Sequence, residues 1–245
     1  LHADMTNRMG PTITGPFGLL QTLADGIKLF FKEDLLPNDE RGDSAIFRLA
    51  PYLTLIPAFL IFTVVPIGGD FDNADGKVSW WGNTTQLQIA DPPVGILFVL
   101  ALSSLAVYGI MLAGWSSGSK YPLFGSVRAS AQMVSYEAAL GLSLVAVLVK
   151  SGTLSTHDIV AGQADGWNWN LWMTGFIPFI VFLIASTAEL NRPPFDLVEA
   201  EQEIVGGFHT EYSSIRFALF FLGEYMNVVT MSAIMVTLFF GGPDG

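Results

Sequence analysis

Apolar residues in this chain gather into five runs, 44–66, 93–115, 127–150, 171–189 and 216–240, each 19 to 25 residues long. A helix rises about 1.5 Å per residue, so each run can cross the roughly 30 Å hydrocarbon layer of a bilayer. The pattern predicts five transmembrane helices joined by the polar connections 67–92, 116–126, 151–170 and 190–215. Residues 1–43 come before the first run and divide in two. The pairs Gly10-Pro11 and Gly15-Pro16 force turns rather than helix. After them Leu20, Leu23, Ile27 and Phe30 recur at i, i+3, i+7 and i+10, while Asp25, Lys28 and Lys32 fall on another face. This predicts an amphipathic helix, too charged to span and suited to the membrane interface. The pattern alone leaves open whether that helix is a plain surface anchor or has a further role. The fold class expected is an all-α polytopic membrane protein with five transmembrane helices, an interfacial helix and a structured acidic loop at 190–215.

Composition agrees. Of the 245 residues 51% are hydrophobic and 13% are charged, about half the charge usual in soluble domains. Cysteine is absent, which excludes disulfides and any cysteine-held iron–sulfur cluster, and only His2, His157 and His209 could offer imidazole to a metal. No metal site is expected. The net charge of −11 argues against nucleic-acid binding. Arg8, Lys28, Lys32, Arg41, Arg48, Lys120, Arg128, Arg192 and Arg216 fall in one set of alternate loops and span ends, and Lys77 and Lys150 in the other. Positive residues favour the cytoplasmic side, so the first set, with the acidic loop, is expected inside and the last residue outside. No cleavable signal pattern opens the chain, and Leu1 is an unusual natural start, so the sequence reads as a piece of a longer one.

The outer connections are rich in Asp, Gly, Asn and Trp and read as short caps with aromatic residues at headgroup level. Asp70 to Gly76 hints at a calcium loop, but Ala74 and Trp81 stand where an EF-hand needs ligands. Asn83-Thr84-Thr85 is a formal glycosylation sequon and a weak signal.

Charges inside the apolar runs carry more. Glu137 lies near the middle of the third run, Glu189 ends the fourth, and Glu224 sits about 12 Å along the fifth. An ionisable group at that depth costs about 2.5–3.5 kcal/mol on insertion scales and usually lines a protein interior or a watery path. At 100° per residue Ser130, Glu137 and Gly141 share one face, with Arg128, Gln132 and Ser135 nearly opposite, which predicts a helix surrounded by protein. Glu224 and Asn227 are neighbours at i+3. Paired glue between helices and a proton path both explain such acids. In the loop, Glu189, Asp196, Glu199, Glu201, Glu203 and Glu211 surround Arg192. Pro193-Pro194 is expected to stop the preceding helix and start another, aligning Asp196, Glu199 and Glu203 as a ridge. That ridge reads either as a solvated face or as carboxylates that raise one another's pKa.

Three stretches go beyond pattern. Glu189-Leu190-Asn191-Arg192-Pro193-Pro194-Phe195-Asp196-Leu197-Val198-Glu199-Ala200-Glu201, continuing through Glu203, Gly206-Gly207-Phe208 and Glu211-Tyr212, resembles the signature loop of the subunit 1/H family of respiratory complex I, NADH:quinone oxidoreductase. Ser126 to Glu137 resembles the family's second signature, and the Gly-Pro turns with Gly18 to Glu33 a third. The three occur in family order and extend across most of the chain.

The resemblance implies a subunit of a proton-pumping translocase that holds no redox centre or cofactor of its own. It would form the membrane part of a quinone tunnel, with quinone, whether ubiquinone or menaquinone, as substrate at a shared site. Its partners would be the peripheral-arm subunits that carry the terminal iron–sulfur cluster, other membrane-arm subunits and the lipid bilayer, in a prokaryotic plasma membrane. Carried over residue by residue, the tunnel falls on Arg8, Asp25, Lys28, Arg128 and Gln132. The proton or coupling path falls on Glu137, Glu189, Asp196, Glu199, Glu201, Glu203, Glu211 and Glu224, with Arg192 and Tyr212 holding the loop's charges and hydrogen bonds. The chain departs from the family at Thr12-Ile13-Thr14, where Asn and a basic residue are usual, and the family has about eight spans. Competing readings are the similar subunit of a membrane-bound hydrogenase or deazaflavin-dependent dehydrogenase, and a secondary transporter, which would tend to show internal repeats.

Overall fold

The computed structural model describes residues 10, 12–37, 42–69, 76–163, 166–196 and 205–244. The amphipathic stretch forms α1 (Gln21–Phe31). The long helices are α2 (Ser44–Phe62), α3 (Gly95–Ser116), α4 (Lys120–Ser151) and, at the end, α8 (Ser214–Phe239). Among the described residues these four are long and apolar enough to cross a membrane. Between α4 and α8 come α5 (Thr156–Ala161), α6 (Asn170–Met173) and α7 (Phe176–Glu189).

Local chemistry explains where these elements start and stop. The Asp43 carboxylate accepts from the amides of Ala45 at 2.9 Å and Ile46 at 3.2 Å, capping α2. α4 begins seven residues before the apolar run at 127, because Pro122 fits a helix's first turn. It ends at Gly152, which takes the left-handed conformation at φ 68. The run 171–189 does not form one helix. Gly175 at φ 79 separates α6 from α7, and α7 has 14 residues, a rise of about 21 Å. The segment 67–92, expected as a short cap, contains a hairpin in which Lys77–Trp80 (β1) pairs antiparallel with Asn83–Gln86 (β2). The two-residue turn has φ 50 at Trp81 and φ 83 at Gly82, both positive as a type I′ turn requires.

α2 contains Pro51 and Pro57, and each removes the amide that the carbonyl four residues earlier would have used. The helix packs closely on α3 at Gly109, where a Cβ would lie 2.8 Å from the Thr54 nitrogen and 3.1 Å from the Ala50 oxygen. Only a residue without a side chain allows that approach. α4 packs between α3 and α7, and its opposite face, with Arg128, Ala131, Val134, Ser135, Ala138, Leu142, Val145 and Val149, is exposed on this chain. The Ser135 hydroxyl bonds back to the Ala131 carbonyl at 2.7 Å, so that polar residue satisfies itself without a neighbouring helix.

α1 is fastened to the start of α8. The Ser214 hydroxyl lies within hydrogen-bonding distance of the Leu29 and Lys32 carbonyls, at 3.1 and 2.7 Å, and Arg216 pairs with Asp34 at 2.6 Å. The apolar residues Leu20, Leu23, Ile27 and Phe30 stay exposed, a face suited to lipid. At the opposite end of the bundle from α1, side-chain amides tie the connections to helix ends. Gln88 donates to the Val64 carbonyl at 2.9 Å, Gln163 to Thr237 at 3.1 Å and Asn170 to Leu238 at 2.8 Å.

Two apolar clusters form the core. One contains Phe47, Ala50, Ile110, Ala129, Met133, Phe208, Tyr212 and Phe220. The other contains Ile61, Val99, Leu140, Leu144, Phe182, Met231, Leu238 and Phe239. Along every long helix at least one polar residue falls between the two: Thr54 on α2, Ser103 and Ser104 on α3, Glu137 on α4, and Glu224 and Asn227 on α8.

Candidate functional site: an acid row between two apolar clusters

The site begins at the end of α7. Asn191 takes φ 51, its amide bonds to the Ala188 carbonyl at 3.2 Å, and the Arg192 amide reaches the Thr187 carbonyl at 3.2 Å. These are the two bonds of a Schellman turn, and asparagine tolerates the left-handed conformation better than most residues. The helix therefore stops at Asn191, ahead of the Pro193-Pro194 pair expected to stop it. Gln132 on α4 holds the turn from outside. Its side-chain amide reaches the Ala188 carbonyl at 2.8 Å and the Asn191 side-chain oxygen and Phe195 carbonyl at 3.0 Å each.

This turn aims two charged residues inward. Glu189 is buried, and its Oε1 accepts from the Ser103 hydroxyl. Arg192 reaches across to Glu224 on α8 at 3.0 Å, with its guanidinium over the Tyr225 ring at 4.9 Å. Glu137 on α4 accepts from Ser104, the residue next to Ser103. Glu189, Glu224, Asn227, Thr54 and Asn191 line one cavity of about 50 Å³. Glu189, Ser103 and Asn227 line a second of about 20 Å³. A polar cavity of either size has room for water. Among the described residues the Glu189 Oε2 has no hydrogen-bond partner. The expected acids Glu137, Glu189 and Glu224 thus come together from three helices in one polar layer.

Other expected residues either lie away from this layer or fall outside the described residues. Asp196 and Glu211 are exposed, although Asp196 is close enough to act electrostatically on Glu224. Glu199, Glu201, Glu203 and Arg8 lie outside the described residues, as do most of the acidic ridge and the hinted calcium loop. Asp25 accepts from Gln21 at 3.1 Å on the surface of α1, and Lys28 and Arg128 are exposed. None of these three lines either cavity beside Glu189. Gln132 faces the α7 turn rather than α1.

Tyr212, expected to support the loop, is anchored to α2. It stacks on Phe47 with ring centres 3.9 Å apart and donates to the Phe47 carbonyl at 3.1 Å. That carbonyl is the one whose helical partner would be Pro51, which has no amide hydrogen. Burial pushes the Tyr212 phenol above its usual pKa. The adjoining turn Gly207–His209 lies against α4 at Gly125, where a Cβ would come within 2.7 Å of the Gly207 backbone. In that turn His209 sits among Phe208, Phe217 and Phe221, and burial lowers its imidazole to about 4.

Sequence reasoning missed Ser103 and Ser104 as partners of the acids, and Thr54 as a wall of their cavity. The signal was present: a serine pair in the middle of the apolar run 93–115.

Apolar spanning helices closed round a row of carboxylates and one arginine define an integral membrane protein with a polar interior. The chain belongs to the family described as NADH dehydrogenase, whose model matches residues 1–245. It is similar to the H subunit of NADH-quinone oxidoreductase from Frankia casuarinae, 54% identical over 240 residues, covering 98% of this chain and 51% of that protein. The same protein from Frankia alni is 54% identical over 241 residues, and that from Streptomyces avermitilis 49% identical over 240, with the same coverage. The chain spans about half the length of these relatives.

Proposed function

We propose that this chain is part of the membrane subunit of a proton-pumping NADH:quinone oxidoreductase, in which it encloses part of the quinone tunnel and passes the charge change of quinone reduction to buried carboxylates. The observation that carries the reading is the layer of Glu137, Glu189 and Glu224 held between two apolar clusters by serines, an arginine and water-sized cavities. Carboxylates in such a layer interact strongly because little solvent screens them. Quinone reduction calls for protons, and a negative charge arriving near Glu224 or its partner Arg192 alters the balance of charge at Glu189, which shares a cavity with Glu224. Gln132 and Arg128 on α4, with Asp25 and Lys28 on α1, are the tunnel residues on this reading. The acidic loop faces the cytoplasm of a bacterial cell and the peripheral arm docks over it, with quinone shared between the two.

The test is made in the assembled complex with Glu189→Gln and Glu224→Gln. NADH:quinone turnover and proton pumping should fall sharply while NADH:ferricyanide activity, which bypasses the membrane arm, persists. Full quinone reductase activity and pumping in both variants would reject the proposal.

A further inference from the structure

Ser103 and Ser104 are consecutive on α3, so their side chains leave the helix about 100° apart and reach different neighbours. Ser103 donates to Glu189 at the end of α7, and Ser104 donates to Glu137 in the middle of α4. A single turn of one helix therefore holds two carboxylates that belong to two others. Glu137 is also close enough to act electrostatically on Glu189. The chain between those acids passes through α5 and α6 at the opposite end of the bundle from α1, so no local segment sets their spacing.

The two hydroxyls are not equivalent. Ser103 is buried and its hydroxyl has the Glu189 carboxylate as acceptor. Ser104 has a second acceptor, the Leu100 carbonyl one turn back at 3.0 Å. A serine hydroxyl carries one hydrogen and can also accept, so Ser104 serves one of its two acceptors at a time. With Glu137 ionised, the hydrogen goes to the carboxylate. With Glu137 protonated, the acid donates to Ser104 and the Ser104 hydrogen turns to Leu100. The hydroxyl orientation follows the charge of the acid, with no bond made or broken in the serine.

We propose that Ser103 and Ser104 are positioning residues of the acid row, a hydroxyl clamp that keeps Glu189 and Glu137 in fixed register and, at Ser104, reorients with the charge on Glu137. This rests on the coupling role given above to the acids. The competing account is simple helix glue, in which the serines contribute packing and stability alone.

The assembled complex is prepared with S103A, S104A, S103T and S104T, and with Glu137→Gln and Glu189→Gln for reference. Quinone kinetics are measured, and the carboxyl region of the redox-difference infrared spectrum is recorded. Each alanine variant should lower kcat for quinone reduction about tenfold, as expected when a charged group loses a hydrogen bond, and leave KM for quinone unchanged. S104A should move the carboxyl band that Glu137→Gln removes, and S103A the band that Glu189→Gln removes. Threonine, which keeps the hydroxyl, should restore rate and band. If an alanine variant does not assemble, the cysteine variant, similar in size and a weaker donor, should show the same band shift. Unmoved bands and normal kcat in the serine variants would overturn the clamp, and loss of turnover in Glu137→Gln and Glu189→Gln would then leave the coupling role standing. Normal turnover and pumping in those two reference variants would remove the coupling role itself.

Discussion

The Tyr212 hydroxyl donates to the Phe47 carbonyl at 3.1 Å, the one carbonyl of α2 that Pro51 deprives of its helical partner at that turn. A residue 165 positions away in sequence thus repairs the backbone of the first long helix, and it ties the segment after the acidic loop to α2. Tyr212→Phe should cost about 1–3 kcal/mol, the penalty for a buried polar group left unpaired. Pro51→Ala supplies an amide to the same carbonyl, so in the double variant the loss should shrink. A double-mutant cycle on thermal unfolding of the complex measures the difference, and strictly additive effects would count against this account.

Gln132 holds the turn that carries Glu189 and Arg192 through three acceptors. Gln132→Leu should free that turn and expose residues 190–196 to faster amide hydrogen exchange. Exchange at wild-type rates would show that the Schellman bonds suffice alone.

The Arg192–Glu224 pair is half-buried, with side chains 35% and 25% exposed. Either single substitution, Arg192→Gln or Glu224→Gln, should destabilise by about 1–3 kcal/mol, between exposed and fully buried pairs. The double substitution should be milder than Arg192→Gln alone, because it leaves no carboxylate without a partner. Unfolding midpoints of the three complexes decide the order.

His209 is held neutral, its pKa lowered to about 4 by burial. A histidine whose folded pKa lies below its unfolded value, about 6.5, contributes stability that is fully present above pH 6.5 and lost as pH falls toward 4. Hydrogen exchange at 205–212 should therefore accelerate between pH 6.5 and 4, after correction for the intrinsic rate, and His209→Phe should abolish the acceleration. The same pH dependence in the phenylalanine variant would assign the effect to another group.

The apolar runs announced the spanning helices because a bilayer demands long uncharged stretches, and the 3.6-residue period announced α1. The cost of a carboxylate in oil singled out Glu137 and Glu224 before any contact was known. The break at Gly175 was hidden because an apolar run reads the same whether its backbone is continuous or turned by one left-handed glycine. Stopping α7 fell to Asn191 rather than to the proline pair, since a Schellman turn needs only one residue that accepts positive φ.

Sequence by itself determined which residues must leave water, which must stay in it and which acids stand where they are costly, because transfer energies belong to side chains one at a time. Only the tertiary structure decided which helix faces which. Hydrogen-bond partners such as Ser103 for Glu189 or Tyr212 for Phe47 lie 86 and 165 residues apart, and a contact at that separation is set by packing and not by any local pattern.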